Sequence, residues 1–399
     1  MKYPPASLAV LVVSVAALAS CVDHTHPRLA FASAGTAEEA PMPVLPGFEV
    51  PAPKPTNDGR VVLITIDGVR AEDVFDGADP TLRPDANVLH LTRPEAVMPR
   101  LHRLVANRGV ALGADRPGCG VVRTASGANV SLPGYLEIFT GRKTRCRDNG
   151  CARTELPTVL DEAAGAGLTV ASIGSWDYLD RAVSSFGHGP GVPLPPSKVL
   201  VAEGTGRWPG PRPATGGKMN LLVAAGESAD AFPGVGKYRP DVHTSAIALE
   251  YLRTASPAVL HVGLGDADEW GHRNDYAAYL GAIGMADAFI GDLADTLAEM
   301  GENGARTTVI VTTDHGRNRD FQHHGAFSLT SARTFVIAFG ARVTPRGVAC
   351  PSRDVTLADI APTVRSLVGL PPDTSADAGR PIDEIAGPQR PPPLAVLRR

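Results

Sequence analysis

The sequence predicts an α/β protein built on a doubly wound, mostly parallel central sheet with helices on both faces. Three observations carry that prediction. Several short runs are apolar almost throughout, above all Arg60 to Ile66 (RVVLITI), 258 to 264 (AVLHVGL) and 307 to 313 (TTVIVTT), as buried strands are. Helical spacing alternates with such runs along the chain, which is the signature of a wound sheet. Three of the runs also stop at an acid, respectively Asp67, Asp266 or Asp268, and Asp314. In open α/β sheets ligands sit at the carboxyl ends of the strands, so acids there point to a site.

Taken in order, the pattern predicts a helix at 97–107, a strand near 109–114, a helix from about 132, a helix at 157–166 and a strand at 168–174. Residues 184–218 are rich in Gly and Pro and read as a long surface excursion, either a lid or a solvated loop. Alternation resumes with NLLVAA at 220–225, a helix at 240–254 and the strand at 258–264. Tyr276, Tyr279, Leu280, Ile283, Ala286, Ile290, Leu293 and Leu297 then follow a three-four spacing, the apolar stripe of a core helix. After the strand at 307–313 come RTFVIAFG at 333–340 and a helix over 357–367.

The chain has 399 residues, 43% of them hydrophobic and 20% charged, enough for a sizeable core. Its net charge of -4 and the absence of a basic stripe give no nucleic-acid surface and leave a small polar or anionic substrate open as the partner. Residues 1–20 read as a signal peptide, with Lys2 ahead of an apolar run from Leu8 to Leu18 that is too short to span a bilayer. Leu18-Ala19-Ser20-Cys21 resembles a bacterial lipobox, which would place a lipid anchor on Cys21; ordinary cleavage after Ala17-Leu18-Ala19 is the alternative. Both readings take the protein out of the cytoplasm, to the periplasm or cell envelope. Residues 21–58 read as a Pro- and Ala-rich tether, and 59–399 are expected to form a single domain. Cys119, Cys146, Cys151 and Cys350 are expected as disulfides in an oxidising compartment, with Cys146 to Cys151 as one pair.

Imidazoles follow the strand-end acids closely. His272 lies four residues after Asp268, His315 adjoins Asp314, and His323 and His324 come shortly after. Carboxylate oxygens mixed with imidazole nitrogens suit two divalent ions, zinc or manganese. His261, inside an apolar strand, reads instead as a satisfied core histidine, and His90, His102, His188 and His243 as surface or packing residues. Ser131 precedes an amphipathic run with Pro133 in its first turn, which puts it at or near a helix N-terminus. An N-cap is the commonest role for serine there, yet the same position favours a bound phosphate and a serine alkoxide.

With these residues in view, the sequence resembles the alkaline phosphatase superfamily of metalloenzymes, in particular nucleotide pyrophosphatases and phosphodiesterases, with some similarity to phosphopentomutases in Gly271 to Asp275. The motifs occur in family order: Ser131, Pro133 and Thr140-Gly141; Asp268 four residues before His272; Asp314-His315-Gly316; His324-Gly325; and Asp359 to Thr363. The resemblance covers nearly all of residues 60–382. It implies an alkaline phosphatase-like fold, one metal among Asp67, Ser131, Asp314 and His315, and a second held by Asp268, His272 and His324. His323 competes for the last place, and His324 fits the His-Gly pattern. Asp266 becomes a supporting residue or a turn cap. The resemblance further implies hydrolysis of a phosphodiester, phosphonate or monoester through a phosphoseryl intermediate on Ser131. Asn149 in the loop after that helix, or else Arg142 or Lys143, is the candidate donor to a phosphoryl oxygen. Sulfatases of the superfamily carry Arg where this chain has Tyr135, which weakens that reading. A phosphotransferase or mutase, and an envelope binding lipoprotein without turnover, compete with hydrolysis as readings of the same motifs.

Overall fold

The computed structural model describes residues 57–82, 90–186, 199–205 and 217–387. The signal peptide, Cys21, His188 and all but the last two residues of the tether lie outside the described residues. The strands are β1 (Arg60–Ile66), β2 (Gly109–Leu112), β3 (Val122–Arg123), β4 (Val170–Gly174), β5 (Leu200–Glu203), β6 (Val259–Leu264), β7 (Thr307–Thr312), β8 (Val336–Gly340), β9 (Gly347–Val348) and β10 (Val355–Thr356). Eight of them form one sheet in the order β5-β4-β6-β1-β7-β8-β2-β9, and β10 pairs with β3 in a small second sheet. From β5 to β7 all neighbours run parallel, whereas β8 is antiparallel to both β7 and β2. The sheet is therefore mostly parallel, as the apolar runs predict.

Side chains of β1 alternate between two cores. Val62, Ile64 and Ile66 face the helices Pro99–Arg108, Asp241–Ala255 and Tyr276–Glu299, while Val61 and Leu63 face Ser131–Thr140, Val159–Gly165 and Ile360–Leu367. Each such Val, Leu or Ile contributes about 1.5–3 kcal/mol of burial, so a register slip of β1 would exchange the two faces at high cost. The Tyr276–Glu299 helix is long and apolar enough to cross a membrane, but its stripe is packed in this core. Its first turn is held twice, by the Asp275 carboxylate accepting from Ala278 N–H and by the Tyr276 and Tyr279 hydroxyls donating to buried Asp73.

The structure departs from the sequence reading in four places. The helix expected at 97–107 is two, Pro94–Val97 and Pro99–Arg108, because Pro99 lacks an N–H and opens a new helix. Residues 220–225 belong to the helix Gly217–Ser228 rather than opening the next round of alternation with a strand. The excursion at 184–218 contains β5, a short edge strand that its Gly- and Pro-rich surroundings hide; residues 187–198 and 206–216, on which a lid would depend, lie outside the described residues. RTFVIAFG contributes a strand only from Val336, and in the antiparallel sense. Both disulfides are formed, Cys146 to Cys151 and Cys119 to Cys350.

One polar row crosses the core. His261 on β6 lies between the Thr65 hydroxyl at 3.0 Å and the Ser172 hydroxyl at 2.6 Å, so it is a satisfied core histidine. Ser172 is in turn 2.5 Å from Oε1 of Glu203, whose carboxyl burial pushes up to about 8. A carboxyl raised in the folded state stabilises fully below its unfolded value of 4.5 and loses that contribution as pH rises through about 8. Glu203→Gln removes the titration. Thermal unfolding of wild type and Glu203→Gln between pH 6 and pH 9 should therefore show wild type losing ground to the variant as pH rises, and a constant difference would refute the assignment.

Candidate metal centre

The three strands β6, β1 and β7 are adjacent and parallel, in register from Ile66 opposite Leu264 and from Thr65 opposite Thr312. Their carboxyl ends therefore coincide, and the acids that follow them meet. Asp67 leaves β1 with its N–H held by Leu264 O at 2.9 Å, Asp314 follows β7, and Asp268 projects from the helix Asp266–His272 after β6. All three carboxylates are buried. Gly68 permits the crowding, because its φ of +63° suits glycine and a Cβ there would stand 2.2 Å from Asp268 Oδ1. Its N–H donates to Asp314 Oδ1 at 3.1 Å.

Ser131 is the first residue of the helix Ser131–Thr140, entered from an extended Val130. Every residue of that helix is buried, so the helix is fixed by packing rather than by a serine cap. The capping acceptor is Asn149, whose Oδ1 takes the Leu132 N–H at 2.9 Å. That leaves the Ser131 hydroxyl turned to the acids, 3.2 Å from His315 Nε2 and 3.4 Å from Asp67 Oδ1, at the positive end of the helix. Gly134 lets the helix lie against the end of β7, since a Cβ there would be 2.3 Å from the Asp314 carbonyl oxygen.

The histidines are aimed by their second nitrogens. His315 Nδ1 donates to Gly316 O and His324 Nδ1 to Asn129 O, both at 2.9 Å, so each presents Nε2 to the centre. The two rings stack at 3.9 Å. His315 Nε2 is 3.4 Å from Asp314 Oδ2 and 3.5 Å from Asp67 Oδ1. His272 Nε2 stands 3.1 Å from Asp268 Oδ2 and 3.0 Å from His324 Nε2. Two groups thus converge tightly enough for an ion, Asp67 with Asp314 and His315, and Asp268 with His315 and His324; His272, half exposed, closes the rim of the second.

The electrostatics favour a cation. Burial, with Asp314 and Asp268 close by, raises the Asp67 carboxyl well above its ordinary range, and burial with Asp268 raises Asp314 to about 7. Burial lowers His315 and His324 to about 4, so both are neutral and able to ligate. Asp314 Oδ2 is buried with no hydrogen-bond partner, an orphan that a metal would satisfy. Burial alone would raise Asp268 too, but Arg317, His324 and His272 outweigh it and hold that carboxyl well below the usual range.

Arg317 is the site residue that sequence reasoning missed. It is 1% exposed, pairs with Asp268 Oδ1, and donates to Phe321 O at 2.5 Å and Gln322 O at 2.8 Å. No local pattern reveals a partner 49 residues away. Asn129 carries no signal in the sequence either; its side chain donates to Gly325 O and Ser328 O, tying the Ser131 turn to the His324 loop.

Other candidates fall elsewhere. His323 is exposed and paired with Asp320, leaving His324 in the centre. Asp266 touches no candidate ligand; it accepts from the Tyr238 hydroxyl and the Asp241 N–H. Arg142 is engaged by Asp373 and Asp377, and Lys143 is exposed. A groove of about 490 Å³ runs past Thr140 at the far end of the serine helix, its Arg365 and Arg142 paired with Glu162 and Asp373.

Comparison with known proteins agrees with this architecture. Residues 227–372 match the Metalloenzyme superfamily, a span that holds Asp268, His272, Asp314, His315 and His324. Over 145 residues the chain is 30% identical to the 2,3-bisphosphoglycerate-independent phosphoglycerate mutase of Haloarcula marismortui, covering 34% of this chain and 25% of the mutase. The match thus spans about a quarter of that relative's length. The phosphonate monoester hydrolase of Agrobacterium radiobacter has a TM-score of 0.52 and 18% identity, with 83% of this chain and 78% of that one covered. An alkaline phosphatase superfamily protein from Vibrio parahaemolyticus gives 0.51 and 14%, covering 85% and 71%. The fold is that of the alkaline phosphatase superfamily. Within the alkaline phosphatase fold, the centre described above occupies the carboxyl edge of the sheet, and Asp67 and Ser131 are brought to it from outside the matched segment.

The packing of Gly134 can be tested against a glycine in open space. Gly134→Ala should destabilise by about 1–3 kcal/mol through overpacking, whereas Gly281→Ala, with nothing within 4 Å, should stabilise its helix by about 0.5–1 kcal/mol. Chemical denaturation of both variants checks the opposite signs.

Proposed function

We propose that this protein is a metal-dependent hydrolase of phosphate esters, acting on a phosphodiester, phosphonate or monoester through a phosphoseryl intermediate at a two-metal site. The observation that carries the reading is the Ser131 hydroxyl at a helix N-terminus, within 3.4 Å of both Asp67 and His315, beside a second cluster of Asp268, His272 and His324. Asp67, Asp314, His315 and Ser131 would hold one ion and Asp268, His272 and His324 the other. The mixed oxygen and nitrogen donors suit zinc, with manganese as the alternative. Bound there, the ions would lower the serine pKa and neutralise charge on the phosphoryl and leaving oxygens.

The chain's own residues account for the remaining steps. Ser131 Oγ attacks phosphorus in line, forming the serine–phosphorus ester as the alcohol leaves; water then cleaves that ester and restores the hydroxyl. Asn149, its oxygen fixed on Leu132 N–H, keeps its amide nitrogen to donate to a phosphoryl oxygen. Arg317 is spent on Asp268 and the Phe321 and Gln322 carbonyls, so it serves as a counter-ion rather than a substrate clamp.

The likeness to a mutase favours a second reading, transfer to an acceptor alcohol instead of water. Against it, the described part of residues 68–266 supplies strands β2, β4, β5 and β6 of the central sheet. Two disulfides support export to the periplasm or cell envelope, where Cys21 would carry the lipid anchor.

Turnover of bis-p-nitrophenyl phosphate and p-nitrophenyl phosphate should fall by at least about a thousandfold in Ser131→Ala. Chelation should abolish wild-type turnover and added zinc restore it. An active Ser131→Ala, or indifference to chelator, would contradict the mechanism, and products formed with an added alcohol separate hydrolysis from transfer.

A further inference from the structure

The polar row in the core does not end at Thr65. The Thr65 hydroxyl faces the phenol of Tyr135, and the Tyr135 hydroxyl donates to Asp67 Oδ2 at 3.1 Å. Four neighbouring strands, β5, β4, β6 and β1, therefore each place one polar side chain on the face covered by the serine helix, and that helix delivers the last link. All of these side chains are buried. Polar groups strung through an apolar core cost stability unless each is satisfied; every link of the row has a partner along it, while Glu203 Oε2 has none and lies where a Cβ on Gly174 would come within 2.0 Å.

The donors can all point one way. Glu203, raised to about 8 by burial, is protonated at neutral pH, so its O–H can donate to Ser172. Ser172 then gives its proton to His261 Nδ1, and neutral His261 donates from Nε2 to Thr65, whose hydroxyl is left to face Tyr135. Hydrogen bonds aligned in this sense strengthen one another in a low-dielectric core.

We propose that Tyr135, supported by the row from Glu203 through Ser172, His261 and Thr65, is a positioning residue that fixes Asp67 so that Oδ1 faces Ser131 and the metal beside it. The inference rests on the metal-centre reading. Tyr135 holds Oδ2 from behind, while Oδ1 stands 3.4 Å from Ser131 Oγ and 3.5 Å from His315 Nε2. The phenyl ring is held independently of its hydroxyl, against Phe139 and Trp176. Tyr135→Phe therefore removes the hydrogen bond and leaves the packing.

The test is zinc titration into metal-free, full-length protein by calorimetry, with kcat and KM for bis-p-nitrophenyl phosphate measured on the zinc-loaded form. Tyr135→Phe should weaken one of the two ions by roughly tenfold or more, the usual cost of losing a residue that orients a ligand. Its kcat should fall while KM stays within about twofold. Glu203→Gln, which still offers Ser172 a donor, should keep zinc affinity within about twofold, whereas Glu203→Leu should follow Tyr135→Phe by a smaller factor. If Tyr135→Phe binds both ions as tightly as wild type, the positioning role is overturned and the metal-centre reading stands. If wild type binds no zinc, both are overturned.

Discussion

The parallel pairing of β6, β1 and β7 is the constraint on which the rest depends. Because these three central strands run the same way and end together, their trailing carboxylates, Asp268, Asp67 and Asp314, must share a small, largely buried volume. Three like charges cannot remain there unaided. The surroundings answer in two ways: Arg317 neutralises Asp268 permanently, while Asp67 and Asp314 are left raised and, in the case of Asp314 Oδ2, without a partner. The fold has thus built a demand for positive charge beside a serine hydroxyl.

The orientation of the candidate ligands is as constrained as their position. His315 and His324 are turned by carbonyl oxygens at their Nδ1 atoms, Asn149 relieves Ser131 of capping duty, and Asn129 ties the serine turn to the His324 loop. Gly68 and Gly134 remove the side chains that would keep these segments apart. Each device is local, yet all act at the same carboxyl edge of the sheet.

Much of this was legible in the sequence, for physical reasons. A strand buried on both faces must be apolar, so the point where it stops and an acid begins marks a sheet edge, which is how Asp67 and Asp314 stand out. His272 is legible because four residues from Asp268 is one helical turn, and the structure has them on a single helix. Arg317 and Tyr135 were not legible in their roles, since their partners Asp268 and Asp67 lie 49 and 68 residues away and no periodicity links them. β5 was hidden because a four-residue edge strand carries little pattern of its own, and the split at Pro99 because apolar spacing continues across it while the backbone does not. The choice between His323 and His324 needed the loop conformation that sends one ring to solvent and stacks the other on His315.

Metal content measured on the purified protein tests the central claim most directly. Two zinc ions per chain are expected in wild type and one in Asp314→Asn, with the far-ultraviolet circular dichroism of the variant unchanged. Two ions retained by Asp314→Asn, or none in wild type after zinc loading, would contradict it.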